Sequence, residues 1–537
     1  MKRFVVLAAS LLAAAAAFAQ EMPKRVLVIP LDDRPVSVQM PQMLGAIGDI
    51  AVDTPPVELL GHFDKPGNPE GIVQWLRDKG GIGSYDAVIL SLDMVGFGGL
   101  IASRANNADY DTALRRIKEF WNFRLDAPKT KIFAFSAIMR LAPTATKETA
   151  GWRLLLSKYA ELKEKTRQQP TPQNKQALQA LQAKLPSWEI EKYETSRRRN
   201  HKLQKDCIQM LGLGAFDHLA FGQDDASPMG PHQRETLWLK QAVQAQGTPS
   251  RTSFIMGIDQ VPSVLLARTV TDSLKWKPKV RAIFADEAAK LKTAPYESAP
   301  IQESLRQQVE TSGCVLAPTG DLTFFINTPG TTLPQLNSLM IRLGQSLDSH
   351  RPTLLADINL GKSGTPDERL ISSISKPAIF SRLIGFAGWN TAANTMGTAL
   401  PAAIIYEAAR KSQTPSLARE IQLMRFNFHR LVSDWQYHKF TRPLAYGMID
   451  QMPTASREEL YGDDLSKVAD LVKRDLTARA EQSFQTLLAG QVIEADGMRQ
   501  QITELDDIKI GLPWPRAYEV SIDFKIGVQN LGAVKSK

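Results

Sequence analysis

From Arg25 onward the chain repeats one pattern: a short β-branched apolar run, a polar or acidic residue at its end, a Gly/Pro loop, and a longer amphipathic segment. A strand buried on both faces must be continuously apolar, whereas its covering helix needs only one apolar stripe, so this alternation spells βα units and parallel strands. The fold class is therefore α/β. Strands are expected at 26–30, 87–92, 131–137, 218–222, 253–258, 322–327, 354–358 and 383–387. Eight such strands with covering helices suit a (β/α)8-like barrel, the preferred architecture. Three further runs at 50–53, 280–284 and 314–317 raise the count to eleven and make two doubly wound α/β lobes, divided near 273–278, the alternative.

Two regions depart from the pattern. Residues 146–211 are polar and helical, broken by Gln169-Pro170-Thr171-Pro172, and read as an insertion between the third and fourth of the eight strands. After residue 412 the strand pattern stops, so 20–412 is taken as the α/β domain and 413–537 as a mostly helical C-terminal extension. Helices are expected at 417–439 and 456–488, followed by a short β-like tail.

The first nineteen residues read as a cleavable signal peptide. Lys2 and Arg3 precede an apolar stretch from Phe4 to Phe18, and Ala17-Phe18-Ala19 supplies the small-x-small pattern before Gln20. The expected product is periplasmic or secreted, with no membrane association after cleavage, because no later segment has about 20 uninterrupted apolar residues. Lys plus Arg number 65 against 56 Asp plus Glu. Without the leader the excess is about +7, too dilute to point to nucleic acid. The one dense basic run, Arg197-Arg198-Arg199, reads as the solvated side of a helix. Cys207 and Cys314 can form one bridge in an oxidising compartment or stay buried and unpaired. The seven histidines are scattered and no zinc spacing occurs, so neither a resident metal nor a cofactor is expected.

In either architecture ligands bind beyond the carboxyl ends of the strands, which singles out Asp32, Asp33, Arg34, Asp93, Arg140, Asp224, Asp225, Asp259, Asn327, Asp357, Trp389 and Asn390. A lone Asp there is as well explained by capping a helix N-terminus. Asp224-Asp225 asks for more. Neighbouring strand residues face opposite ways, so the two carboxylates share a site only where the strand ends and the Ala-Ser-Pro-Met-Gly-Pro loop turns the backbone. Two close carboxylates drive one pKa up, giving a general acid beside a charge stabiliser. The rival use is a calcium or magnesium site with His232 or Asp259 as further ligands. In Gly388-Trp389-Asn390-Thr391-Ala392-Ala393-Asn394, Asn390 and Asn394 share a helix face beside an indole. That is the pattern of a sugar platform or, equally, of an Asn-capped small-residue helix.

Five motifs, Ile29-Pro30-Leu31-Asp32-Asp33-Arg34-Pro35, Leu92-Asp93-Met94 with Gly98 to Arg104, Ile138-Met139-Arg140, Gln223 to Pro228 and Gly388-Trp389-Asn390-Thr391, occur in this order. Together they resemble the bacterial family of domain of unknown function 4127, over nearly the whole chain. The resemblance implies a frequently exported bacterial protein and carries no activity with it. In the family pattern an acidic residue follows the position of Asp259; this chain has Gln260 there, which weighs against a catalytic Asp259.

The leading expectation is an exported carbohydrate hydrolase, glycosidase-like, acting on a small or oligosaccharide ligand. Asp225 would protonate the leaving oxygen and Asp224 would orient, an arrangement similar to that of substrate-assisted hexosaminidases. A retaining mechanism would instead need a second carboxylate about 5 Å away, with Asp357 or Asp259 available. Asp32, Asp33, Arg34, Asp93, Arg140, Asp259, Asp357, Trp389, Asn390 and Asn394 would bind substrate. The alternatives are a non-catalytic binder of saccharide or cell-wall fragments and a metal-assisted hydrolase using Asp32, Asp33, Asp224 and Asp225.

Overall fold

The computed structural model describes residues 21–105, 108–361, 364–453 and 455–533 of the 537. The leader and its cleavage site at Gln20 lie outside the described residues. Eleven parallel strands form at all the places where buried apolar runs were read. Six make one sheet, in the order β2 (Ala51–Asp53), β1 (Arg25–Ile29), β3 (Ala87–Ser91), β4 (Lys131–Ile138), β5 (His218–Gln223) and β6 (Thr252–Met256). Five make a second, in the order β11 (Phe386–Ala387), β10 (Thr353–Asp357), β9 (Leu322–Asn327), β7 (Lys279–Phe284) and β8 (Val315–Leu316).

The α/β class with parallel strands and covering helices therefore holds. The strands of the preferred single ring are divided between two sheets, and among the described residues no pairing joins β6 to β9 or β11 to β1. Two doubly wound lobes describe the pairing better, and the division falls between helix Val261–Ser273 and β7, as the alternative places it. In both sheets the first strand of the lobe lies between its second and third, β1 between β2 and β3 and β7 between β8 and β9. The chain thus leaves β1 and β7 for strands on opposite sides of each, which makes β1/β3 and β7/β9 the switch points, the places where such folds form a crevice.

Alternation of side chains explains why both faces are covered. Val26 and Val28 point into a core between the sheets, where they join Phe324 and Ile326 of β9 and Leu354 of β10, while Leu27 and Ile29 face the outer helices. Helix Ala392–Ser412 crosses this shared core, and nearly every residue is buried, which accounts for its lack of a polar face. Gly397 permits the closest approach: a Cβ there would lie 2.3 Å from Gln260 Cγ. The small residues of this segment therefore serve helix packing.

The insertion forms helices Arg153–Gln168, Pro172–Gln182 and Ser187–Gly212. Its basic run is not a solvated face. Arg198 is exposed, but Arg197 is 5% and Arg199 9% exposed. Arg197 forms a bidentate pair with Glu235 at 2.8 and 2.6 Å, and Arg199 donates to the carbonyls of Ala105 and Ala108 at 2.7 and 2.8 Å. Paired this way, buried guanidinium groups are tolerated. Cys207 and Cys314 are both buried and unbridged.

In the C-terminal region the expected helix runs further, from Leu417 to Ile449, and its middle, Leu431–Thr441, is a π-helix that ends just before Pro443. Pro443 has no N–H to give, and a widened turn upstream of a proline relieves the clash of its ring with the preceding carbonyls. A second helix spans Gly462–Leu487. The β-like tail is more than a short strand: β12 (Val492–Ala495), β13 (Met498–Gly511) and β14 (Ser521–Ala533) form an antiparallel sheet. Ile522, Phe524 and Ile526 alternate along β14 and bury one face against these helices. No helix among the described residues is long and apolar enough to cross a membrane.

Candidate functional site

A cavity of about 450 Å³ opens where the two lobes meet the C-terminal region. Lobe one lines it from its switch point, through Arg34 after β1 and Leu100 and Arg104 after β3, and from the ends of β4, β5 and β6 through Arg140, Asp224, Asp225 and Asp259. Lobe two supplies Gly364, Trp389 and Asn390. The C-terminal region closes the remaining side with Arg430, Ser433, His438 and Arg442 from the long helix and with Trp514, Arg516, Tyr518 and Glu519 from the loop joining β13 to β14.

Asp224 and Asp225 share the cavity because β5 ends at Gln223. The Asp224 N–H still donates to Ile138 O at 3.2 Å, continuing the ladder, whereas the Asp225 N–H turns to the Asp224 carboxylate at 2.8 Å. Asp224 is ion-paired to Arg104 and Asp225 to Arg140. Their titrations separate. Burial acts against charge on Asp224, but Arg104 and Arg140 outweigh it and hold its pKa below the usual carboxylate range. Burial dominates at Asp225, where Arg140 opposes the shift and the Asp224 charge adds to it, so its pKa is raised.

The backbone of Arg140 is itself held: Arg197 donates to its carbonyl at 2.9 Å while gripping Glu235. Arg34 binds Asp32 at 2.6 Å and Asp259 at 2.8 Å. Burial disfavours its charge, but Asp259 and Asp32 more than offset this and raise its pKa, while burial raises that of Asp259. Arg34 also lies over the Trp514 ring at 4.8 Å.

Asn390 takes a left-handed backbone, φ 57°, and its side chain accepts from Tyr518 OH at 3.1 Å and donates to Asn394 at 2.9 Å. The helix cap is therefore Thr391, which accepts from the Asn394 N–H at 3.2 Å. Asn394 is anchored in turn to Gln260 at 2.8 Å, so the residue that departs from the family pattern links the two lobes. Trp389 donates to Thr398 at 3.2 Å. Asp434, inside the π-helix, accepts from the Gly388 N–H at 3.0 Å and pairs with Arg430 at 3.3 Å, fixing the start of this segment.

Of the residues singled out in the sequence, Arg34, Arg140, Asp224, Asp225, Asp259, Trp389 and Asn390 line this one cavity. Asp32 and Asn394 sit directly behind, holding Arg34 and Asn390. Asp33 accepts from Trp514 at 2.7 Å and bonds His62 at 2.6 Å, pinning the closing loop. Asp93 accepts from the Ala137 N–H at 2.8 Å, and burial pushes its pKa up to about 6. Asp357 accepts from Asn327 at 2.9 Å and from the N–H groups of Asn359 and Asp367 at 3.1 and 2.6 Å; it closes the loop that carries Gly364 to the cavity and does not itself line it. His232 bonds Ser227 O at 2.9 Å, and burial lowers its pKa to about 4.

The residues not foreseen are Arg104, Arg153, Arg430, Arg442, Arg516, Trp514 and Tyr518. For the closing loop a signal was present: Pro513-Trp514-Pro515-Arg516 stands between two alternating strands, as a rigid hairpin loop bearing an indole. Asp32, Asp224, Asp225 and Asp259 at the lobe-one strand ends are each engaged by an arginine. Among the described residues no group of three or more His, Cys, Asp or Glu is arranged to hold a metal. Aromatic walls, amides and a carboxylate pair of split pKa suit a polar, ring-shaped ligand and proton transfer to it.

No curated protein and no solved structure matches the chain. A family model described as a protein of unknown function, domain of unknown function 4127, matches residues 26–523, and the chain therefore belongs to that family.

Proposed function

We propose that the protein is a carbohydrate hydrolase of the glycosidase type. The observation that carries this reading is the pair Asp224 and Asp225, side by side in one cavity with pKa values displaced in opposite directions. Asp225 keeps its proton to higher pH and passes it to the glycosidic oxygen as the bond to the sugar carbon breaks. Asp224 stays ionised beside Arg104 and orients or stabilises the developing positive charge until water adds to the sugar carbon, its proton returning to Asp225. Trp389 and Tyr518 offer apolar faces to a sugar ring, and Asn390 its amide to hydroxyls. For Asp225 to act, Arg140 must release it when the substrate enters. A chromogenic glycoside panel, run on the protein and on Asp225→Asn, tests the proposal. Turnover that depends on Asp225 and survives exhaustive chelation supports it, and no turnover of any glycoside removes it.

The second reading is a saccharide binder without catalysis. It is favoured by the ion pairs themselves, since Arg104 and Arg140 hold both carboxylates in hydrogen-bonding, charged form. Binding without turnover is its signature. Both readings include export. Mass spectrometry of the envelope fraction should find an N-terminus at Gln20, and an intact Met1 would overturn that localisation.

A further inference from the structure

Arginine dominates the cavity wall. Seven line it, Arg34, Arg104, Arg140, Arg153, Arg430, Arg442 and Arg516, against four carboxylates, Asp224, Asp225, Asp259 and Glu519. Arg34, Arg104, Arg140, Arg430 and Arg516 are matched by Asp32 and Asp259, Asp224, Asp225, Asp434 and Glu519. Arg153 is different. It is half-buried, and among the described residues its guanidinium has no carboxylate at ion-pair distance. The charges that act on it are Arg140, which repels it, and the carboxylates of Glu458, beyond ion-pair distance, and Asp225, already paired with Arg140. Burial together with that repulsion lowers its pKa.

A second observation points the same way. Arg104, Arg140, Arg153 and Arg430 each carry a buried Nε–H with no acceptor. These Nε–H groups lie sealed behind the cavity surface; what faces the volume is an excess of guanidinium groups over carboxylates, a wall suited to a ligand rich in acceptor oxygens. Sugar hydroxyls satisfy donors but leave the charge on Arg153 uncompensated, whereas a carboxylate or phosphate does both, because the planar guanidinium fork matches either oxyanion. Arg153 is also the first residue of the first insertion helix, which gives the insertion a role in delivering it.

We propose that the cavity takes a saccharide bearing an oxyanion, and that Arg153 is the counter-ion of that group, next to Asp225. The inference rests on the carbohydrate reading above and names the substrate class within it. Binding is measured on the unmutated protein with thio-linked, non-hydrolysable glycans, so that the probe is not consumed and Arg140 keeps its partner Asp225. The probes are an array of oligosaccharides in which each uronate-bearing or phosphorylated glycan is printed beside its neutral counterpart. Charged members should bind at least about tenfold more tightly than their neutral partners, the scale of one charged hydrogen-bonded pair. Selectivity for uronates identifies a carboxylate and selectivity for phosphorylated glycans a phosphate.

Arg153→Gln should abolish the preference at an unchanged melting temperature, and Arg153→Lys should retain part of it. Equal binding of charged and neutral glycans, a preference that survives Arg153→Gln, or no binding to any member overturns the inference. Its failure is separable from that of the hydrolase reading. Anionic glycans bound by the unmutated protein but never cleaved in their O-linked form remove the hydrolase and leave the oxyanion site. Cleavage of glycosides indifferent to charge does the reverse.

Discussion

The two lobes share a strand order and both end their strands in acids and amides, yet they use these residues differently. At the lobe-one ends Asp32, Asp224, Asp225 and Asp259 meet arginine side chains around an open volume. At the lobe-two ends Asn327 and Asp357 meet each other and the backbone N–H groups of the next loop. Lobe one opens its switch point to the cavity, through the loops after β1 and β3; lobe two contributes instead from its β10 and β11 edge. A strand-end carboxylate becomes part of a site when its partner is a side chain that a ligand can displace. When its partners are three local donors, the loop depends on it and it is a structural residue.

The largest effect expected from this contrast is in lobe two. Asp357→Ala strands the N–H groups of Asn359 and Asp367 and the amide of Asn327, at a cost of about 3 kcal/mol or more. Thermal unfolding should show it, while turnover per folded molecule changes little. Loss of turnover at unchanged stability would break the distinction between the lobes. Asp225→Asn should behave oppositely: unfolding nearly as before and turnover lower by about 10²-fold or more, the usual scale for a lost general acid. Substrates with activated leaving groups should suffer less. If the protein is the hydrolase proposed, turnover of the unmutated chain should fall as pH rises through the elevated pKa of Asp225, because the proton it would donate is then gone.

Titration sharpens the comparison further. Glu297, in the loop after β7, accepts from the Ala393 N–H at 2.6 Å at the start of the central helix, and burial pushes its pKa up to about 7. A carboxyl raised in this way favours the folded state below its unfolded pKa, near 4.5, and that contribution is lost as pH climbs toward 7. Glu297→Gln keeps the bond to Ala393 without the buried charge, so it should raise stability at pH 8 by on the order of 2–3 kcal/mol and hardly alter it at pH 4. Unfolding curves at the two pH values read the difference. An equal gain at both would mean that Glu297 titrates in the folded protein as it does in the unfolded chain.

The strands were legible in the sequence because burial on both faces demands uninterrupted apolar runs, and even the two-residue β11 carries that mark, whereas the edge strand β8 is apolar but leaves Leu316 exposed. Their division into sheets was not, since the pattern around 273–278 is the same whether the next strand pairs with β6 or starts anew. The acids of the site were visible as strand ends, but their arginines were not: Arg104 meets Asp224 across 120 residues, Arg140 meets Asp225 across 85, and Arg34 meets Asp259 across 225. Arg430, Asp434, His438 and Arg442 stand four apart and read as one α-helical face, so nothing in their spacing foretold the π-helix. Arg197 and Arg199 show the converse, a charge run that looked solvated and is buried because its helix packs beneath the carbonyls of the loop after β3.

The smallest effect expected concerns the loop between β13 and β14, which ties the lobes together from outside. Trp514 holds Asp33 of lobe one and Tyr518 holds Asn390 of lobe two, so the loop spans the cavity with one hydrogen bond at each end. Tyr518→Phe removes the lobe-two bond alone and keeps the ring, at a cost of about 1 kcal/mol or less. Burial and the nearby Asp225 charge raise the Tyr518 pKa to about 12, so the phenol is a donor throughout the working range and the effect should not vary with pH. Amide hydrogen exchange should quicken in residues 512–520 and stay unchanged in the paired strands on either side, because only the loop's anchor is lost. If exchange spreads into β13 and β14, the loop is held by its own sheet and not by lobe two. If nothing changes, the stacking of Arg516 on Trp514 and Tyr518, at 4.9 and 5.4 Å, is sufficient to hold it closed.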